Sequence, residues 1–93
     1  MHSTYKNADA WRQRMKGPYI KAELRVRGYT LRKLAAKMDV AESTIWRIVN
    51  DRASSRRIAR EISRITGISV SELWPGRYPD LELAEIRGGR AAA

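Results

Sequence analysis

Ninety-three residues leave room for one modest core, and the absence of cysteine together with a single histidine, His2, excludes a disulfide frame and a thiolate metal site. Nineteen Lys and Arg against ten Asp and Glu give a formal charge of +9, which favours a polyanionic partner, nucleic acid first. No apolar run approaches the roughly 20 residues that cross a bilayer and the first residues are too polar for a secretory signal, so a cytoplasmic protein with no membrane partner is expected.

Residues 1–16 are polar, lack periodicity and carry Arg12, Arg14 and Lys16, which predicts a flexible basic arm. Trp11 and Met15 within it either dock on the core or stack on a partner. Gly17-Pro18 then punctuates the chain, and a first helix is predicted from Pro18 to about Arg27, with Gly28 at its C′ position. Thr30 suits the N-cap of a second helix, in which Leu31, Leu34, Ala35 and Met38 stand at i, i+3, i+4 and i+7, the spacing of one buried face. Asp39-Val40-Ala41 is a short break. A third helix follows from Glu42 to Asn50, with Ile45, Ile48 and Val49 on one side.

Asp51 to Ser55 reads as a polar loop, after which Ser54 or Ser55 caps a fourth helix marked by Ile58, Ile62 and Ile65 and ended by Gly67. Ser69 and Glu72 match the capping box S-x-x-E of a short fifth helix whose Val70, Leu73 and Trp74 turn inward and which Pro75 ends. Beyond Pro79 the chain becomes acidic and then rich in Gly and Ala, so residues 80–93 are expected to form a disordered tail. The reading is an all-α, compact five-helix domain over residues 17–79.

The second and third helices have the makings of a helix-turn-helix. Two helices that meet closely at a steep angle need a small residue at the contact, and Ala35 supplies it. The second of the pair must bury one face and leave the other free for the major groove, which Ile45 and Ile48 permit, with Val40 plugging the turn. Leu31 to Asn50 thus resembles the helix-turn-helix of phage repressor and Cro proteins, with Leu34, Ala35, Met38, Val40, Ile45 and Ile48 at the motif's apolar positions. Asp39 stands where that motif commonly has glycine, and Asp tolerates the left-handed conformation better than most residues.

Taken from Tyr19 to Tyr78, the chain resembles the Ner family of transposable phages and its bacterial relatives. The resemblance rests on the Ile58-Ala59-x-x-Ile62 helix and on Ser71-Glu72-Leu73-Trp74-Pro75-Gly76-Arg77-Tyr78, the part that a generic helix-turn-helix has no reason to share. It implies a repressor-like fold and repression of phage early transcription by operator binding.

In such a motif the N-terminal end of the recognition helix enters the groove, so Glu42, Ser43, Trp46 and Arg47 are the candidate base contacts. The planar fork of Arg47 matches guanine O6 and N7, Glu42 can accept from cytosine N4 or merely offset the helix dipole, and Ser43 suits base or phosphate. Trp46 lies about 100° round the helix from Ile45 and touches thymine methyls and sugars, or packs on a neighbouring helix or a dimer partner. Thr30, Arg32 and Lys33 at the start of the preceding helix, Asn50 and Arg52 after the recognition helix, and Arg56 and Arg57 beside the fourth are the candidate phosphate contacts. Arg60 and Arg64 read as a solvated face, and Trp74 and Tyr78 as core or dimer contacts.

Catalysis is not expected: convergent titratable groups and a glycine-rich phosphate loop are both missing, so no cofactor and no small-molecule substrate are called for. The expected function is sequence-specific recognition of double-stranded DNA by a transcriptional regulator acting as a homodimer, with half-sites about 34–36 Å apart. Two alternatives stay open: a non-specific architectural nucleic-acid binder, for which charge suffices, and a protein-binding adaptor on the same fold.

Overall fold

The computed structural model describes residues 16–92. The predicted arm, with Trp11 and Met15, therefore lies outside the described residues except for Lys16, which is already helical rather than part of an arm. The first helix, α1, covers residues 16–26, with Pro18 in its first described turn. Ile20 and Leu24, four residues apart, point into the core. The helix closes as the glycine foretells: Gly28 takes φ 87°, its N–H donates to the Arg25 carbonyl and the Tyr29 N–H reaches back to the Leu24 carbonyl at 2.9 Å, which satisfies carbonyls the helix end would orphan.

Helix α2 (Leu31–Met38) starts at Thr30, whose hydroxyl oxygen accepts from the Lys33 N–H at 3.0 Å. It buries Leu31, Leu34, Ala35 and Met38, the face its periodicity predicts. Asp39 then takes φ 57° and ψ 48°, the left-handed conformation in which a glycine is commonest, and Val40 N–H closes the turn on the Ala35 carbonyl at 3.0 Å. Helix α3 (Glu42–Val49) buries Ile45, Ile48 and Val49. Helix α4 (Arg56–Thr66) is capped by Ser55, whose side chain accepts from the Ile58 N–H, and is ended by Gly67 at φ 73°.

A single cluster of buried apolar side chains joins these four helices to Val70, Leu73, Trp74 and Tyr78, with Val40 and Ile65 packed at its edge. Because Lys37 of α2 meets Glu61 of α4 at 2.7 Å, a charged brace lies outside that core. Hydrogen bonds from Arg64, and then from Lys37, hold the Glu61 carboxyl at a pKa of about 2 despite some burial. A carboxylate whose pKa is depressed on folding stabilises the fold above its ordinary pKa and loses that contribution as the pH falls through the folded value. Glu61→Gln should therefore lower the melting temperature at pH 7, and the difference from wild type should shrink between about pH 4.5 and pH 2. An equal difference at both ends of that range, in parallel thermal melts, would remove the brace from the account.

Helix α5 (Val70–Leu73) begins at Ser69, whose hydroxyl accepts from the Glu72 N–H. The Ser69-x-x-Glu72 spacing predicts that the Glu72 carboxylate reaches back to the Ser69 N–H, and here it does not. The free N–H groups of this helix start, those of Val70 and Ser71, are instead taken by the Glu85 carboxylate.

Glu85 belongs to α6 (Pro79–Ala92), which corrects the expectation of a disordered tail from residue 80 as far as residue 92, the last described. The domain has six helices among the described residues where the sequence predicts five. The physical reasons are local and long-range together. Pro79 suits a first helical position, Asp80 and Glu82 oppose the helix dipole in the first turn, and the residues from Leu81 to Arg87 are mostly good helix formers, while Gly88 and Gly89 are not. Leu81 packs on the core, Glu82 accepts from the Gly76 N–H at 2.7 Å, and Asp80 pairs with Arg56 of α4 at 2.9 Å.

Candidate nucleic-acid interface

The recognition helix is held from both ends. At its start Val40 is wedged half-buried in the turn and Ala35 lets α2 approach closely, so the ten-residue register between the small residue and Ile45 is kept by packing. At its far end the indole Nε1–H of Trp74, a fully buried side chain, donates to the Ile48 carbonyl at 3.1 Å. Trp74 meets the Tyr78 ring edge-on, with centroids 5.8 Å apart and planes at 77°. The Tyr78 hydroxyl in turn accepts from the Ser55 N–H at the start of α4. Leu73, Trp74 and Tyr78 are thus core, with the exposed Pro75, Gly76 and Arg77 between them, and the two aromatic side chains fix where α3 ends and where α4 begins.

On the outer face of α3, Glu42, Ser43, Trp46 and Arg47 are all exposed. Glu42 is the first residue of the helix, and Ala41 before it offers no side-chain cap, so N–H groups at this end remain open to an anion. Trp46 keeps 47% of its surface exposed. The Arg52 guanidinium lies 5.8 Å from the centre of its ring, a cation-π geometry that orients Arg52 beside the recognition helix.

The candidate phosphate contacts divide into two groups. Thr30, Arg32 and Lys33 stand together around the exposed first turn of α2, and because the Thr30 oxygen accepts from a backbone N–H, its own O–H is left to donate. Lys33 also lies 5.5 Å from the centre of the Tyr29 ring. Of the others, Arg52 stays exposed beside Trp46, whereas Asn50, Arg56 and Arg57 are engaged by partners on the protein itself. Asn50 caps α3, its Nδ2 donating to the Trp46 carbonyl at 2.9 Å. Arg56 pairs with Asp80, and Arg57 donates to the Met38 carbonyl at 2.8 Å, where it closes the C-terminal end of α2. Nearby, Asp51, at φ 60°, gathers Lys16 and Arg77 at 3.5 and 3.4 Å.

A groove of about 510 Å³ separates α3 from α1. Trp46 and Asn50, one turn apart, form one wall, and Lys21, Ala22, Arg25 and Val26 the other. Gly17 brings the helices together at its end: a Cβ there would stand 2.0 Å from the Asn50 Oδ1. The sequence reading leaves Lys21 and Arg25 out of the site, although both alternate with the buried Ile20 and Leu24 at helical spacing and so had to face outward.

Among the described residues no group of three or more His, Asp and Glu is arranged to hold a metal ion, and no helix is long and apolar enough to cross a membrane. No curated protein and no solved structure matches the chain. A family model does match, over residues 15–87, from the described start of α1 into α6. Its description includes a wing, and among the described residues no strand is present to form one; the chain after α5 enters α6 instead. The match takes in the whole helix-turn-helix and most of the chain, and the protein belongs to the winged helix-turn-helix DNA-binding family.

Proposed function

We propose that this protein is a sequence-specific regulator that reads double-stranded DNA through α3, and that it acts as a Ner-like repressor of early transcription, binding a two-fold operator as a homodimer in the bacterial cytoplasm. Its work is binding, with no catalytic step, cofactor or small-molecule substrate. The observation that carries the reading is the exposed set Glu42, Ser43, Trp46 and Arg47 on a helix whose other side is locked into the core by Ile45, Ile48 and Val49. A side chain meant to discriminate bases must be both free and rigidly carried.

Selection from a random-sequence duplex pool at physiological salt, followed by fluorescence anisotropy, tests it. An enriched inverted repeat bound at least about 10³-fold tighter than a scrambled duplex supports a dimeric regulator. Salt-sensitive binding without enrichment favours the architectural reading, which the +9 charge alone would explain. On the enriched site Arg47→Ala should cost about 1–3 kcal/mol and relax preference at one base position, whereas Arg52→Ala should weaken all sequences alike and reduce the salt slope by about one. Identical behaviour of the two variants would mean that the groove assignment of Arg47 is wrong.

A further inference from the structure

We infer that the groove between α1 and α3 is a second DNA-binding element, in which Lys21 and Arg25 hold the sugar-phosphate strand that borders the bases read by α3. The inference rests on the proposed DNA-binding function and adds to it a set of contacts on a different helix. Lys21 and Arg25 are exposed and stand one turn apart on α1, about 6 Å along its axis. Among the described residues neither has an ion-pair partner, a condition they share with Arg32, Lys33, Arg47 and Arg52 of the helix-turn-helix, so both charges are available to a ligand. The described lining of the groove contains these two cations and no carboxylate, so its complement is an anion.

Two further features select a nucleic-acid strand over a small anion. The groove is long enough to take in both cations and the Trp46 ring, and its walls are partly apolar: Val26 is 79% exposed and Trp46 47%. Apolar side chains so placed would be costly to leave in water and fit the sugars between phosphates. Trp46 also belongs to the outer face of α3, so a duplex seated on that face continues directly into the groove. Gly17 bears on the arrangement because a larger residue there would displace the Asn50 side-chain amide that lines the groove.

The test compares wild type, the double variant Lys21→Gln/Arg25→Gln and a charge-matched double variant Arg60→Gln/Arg87→Gln. Each is titrated by anisotropy against the selected and the scrambled duplex over a range of salt concentrations, with circular dichroism to check folding. Loss of two phosphate contacts should lower the salt slope by about 0.9 for each and weaken both duplexes by a similar factor, leaving the preferred sequence unchanged. The charge-matched variant should retain most of the wild-type slope. If the wild type binds DNA and the two double variants have the same slope, the groove is no DNA site while the function of α3 stands. A wild type that binds neither duplex overturns both.

Discussion

Replacing Trp74 by alanine should destabilise the domain by about 3–5 kcal/mol, the cost of emptying a large aromatic site in a packed core. Domains of this kind are stable by only about 5–15 kcal/mol, so the variant should unfold at a much lower urea concentration. The size of the effect follows from what the ring does. Trp74 is fully buried, meets Tyr78 edge-on and carries its N–H to the Ile48 carbonyl in the last turn of α3. Trp74→Phe separates the parts: it fills most of the space but loses the donor. Ile48 retains the Asp51 N–H at 3.1 Å, so this change should cost only about 0.5–1.5 kcal/mol from the hydrogen bond. If the phenylalanine variant keeps its stability yet loses discrimination between the selected and scrambled duplexes, the indole hydrogen bond sets the position of the recognition helix. A Trp74→Ala protein within about 1 kcal/mol of wild type would show that the segment after α5 is not the anchor described here.

Much of this architecture can be read from the chain because it depends on local spacing. The buried faces of α2 and α3 follow from apolar residues at 3.6-residue periodicity, and the start of α2 and the end of α1 follow from Thr30 and Gly28, whose chemistry acts within a few residues. Asp39 was legible for the same reason, since its tolerance of the left-handed region is its own property. What escaped the sequence depends on residues far apart in the chain. Glu85 supplies the cap for α5 from 15 residues beyond Val70, and without that contact an acidic stretch running into Gly and Ala reads as a tail. Arg57 turns to Met38, 19 residues earlier, and Arg56 to Asp80, partners that no periodicity announces. The groove is of the same kind: Lys21 and Arg25 acquire meaning only when Gly17 brings α1 against the end of α3. Trp74 and Tyr78 could be assigned to the core as aromatics beside Leu73, but their hydrogen bonds to Ile48 and Ser55 required the assembled helices.

Ile45→Asp should abolish the fold, while a change at the next residue, Trp46→Ala, should leave it intact and weaken binding to DNA. The first places a carboxylate with no partner where Ile45 is completely buried, and an uncompensated charge in such a site costs several kcal/mol beyond the lost apolar burial. Together these approach the whole stability of a small domain, and far-UV circular dichroism should show loss of helix at 25 °C. Trp46, by contrast, is 47% exposed, so its truncation removes little from the core but deprives Arg52 of the ring beside which it lies and opens a wall of the α1–α3 groove. Its melting temperature should stay close to that of the wild type, with weaker affinity for both selected and scrambled duplexes. The pair therefore tests whether one turn of α3 divides into a side that holds the protein together and a side that meets DNA. Retained cooperative unfolding in Ile45→Asp would place that residue outside the core. A Trp46→Ala protein as unstable as Ile45→Asp would mean that the tryptophan serves packing, and the candidate base-reading face would shrink to Glu42, Ser43 and Arg47.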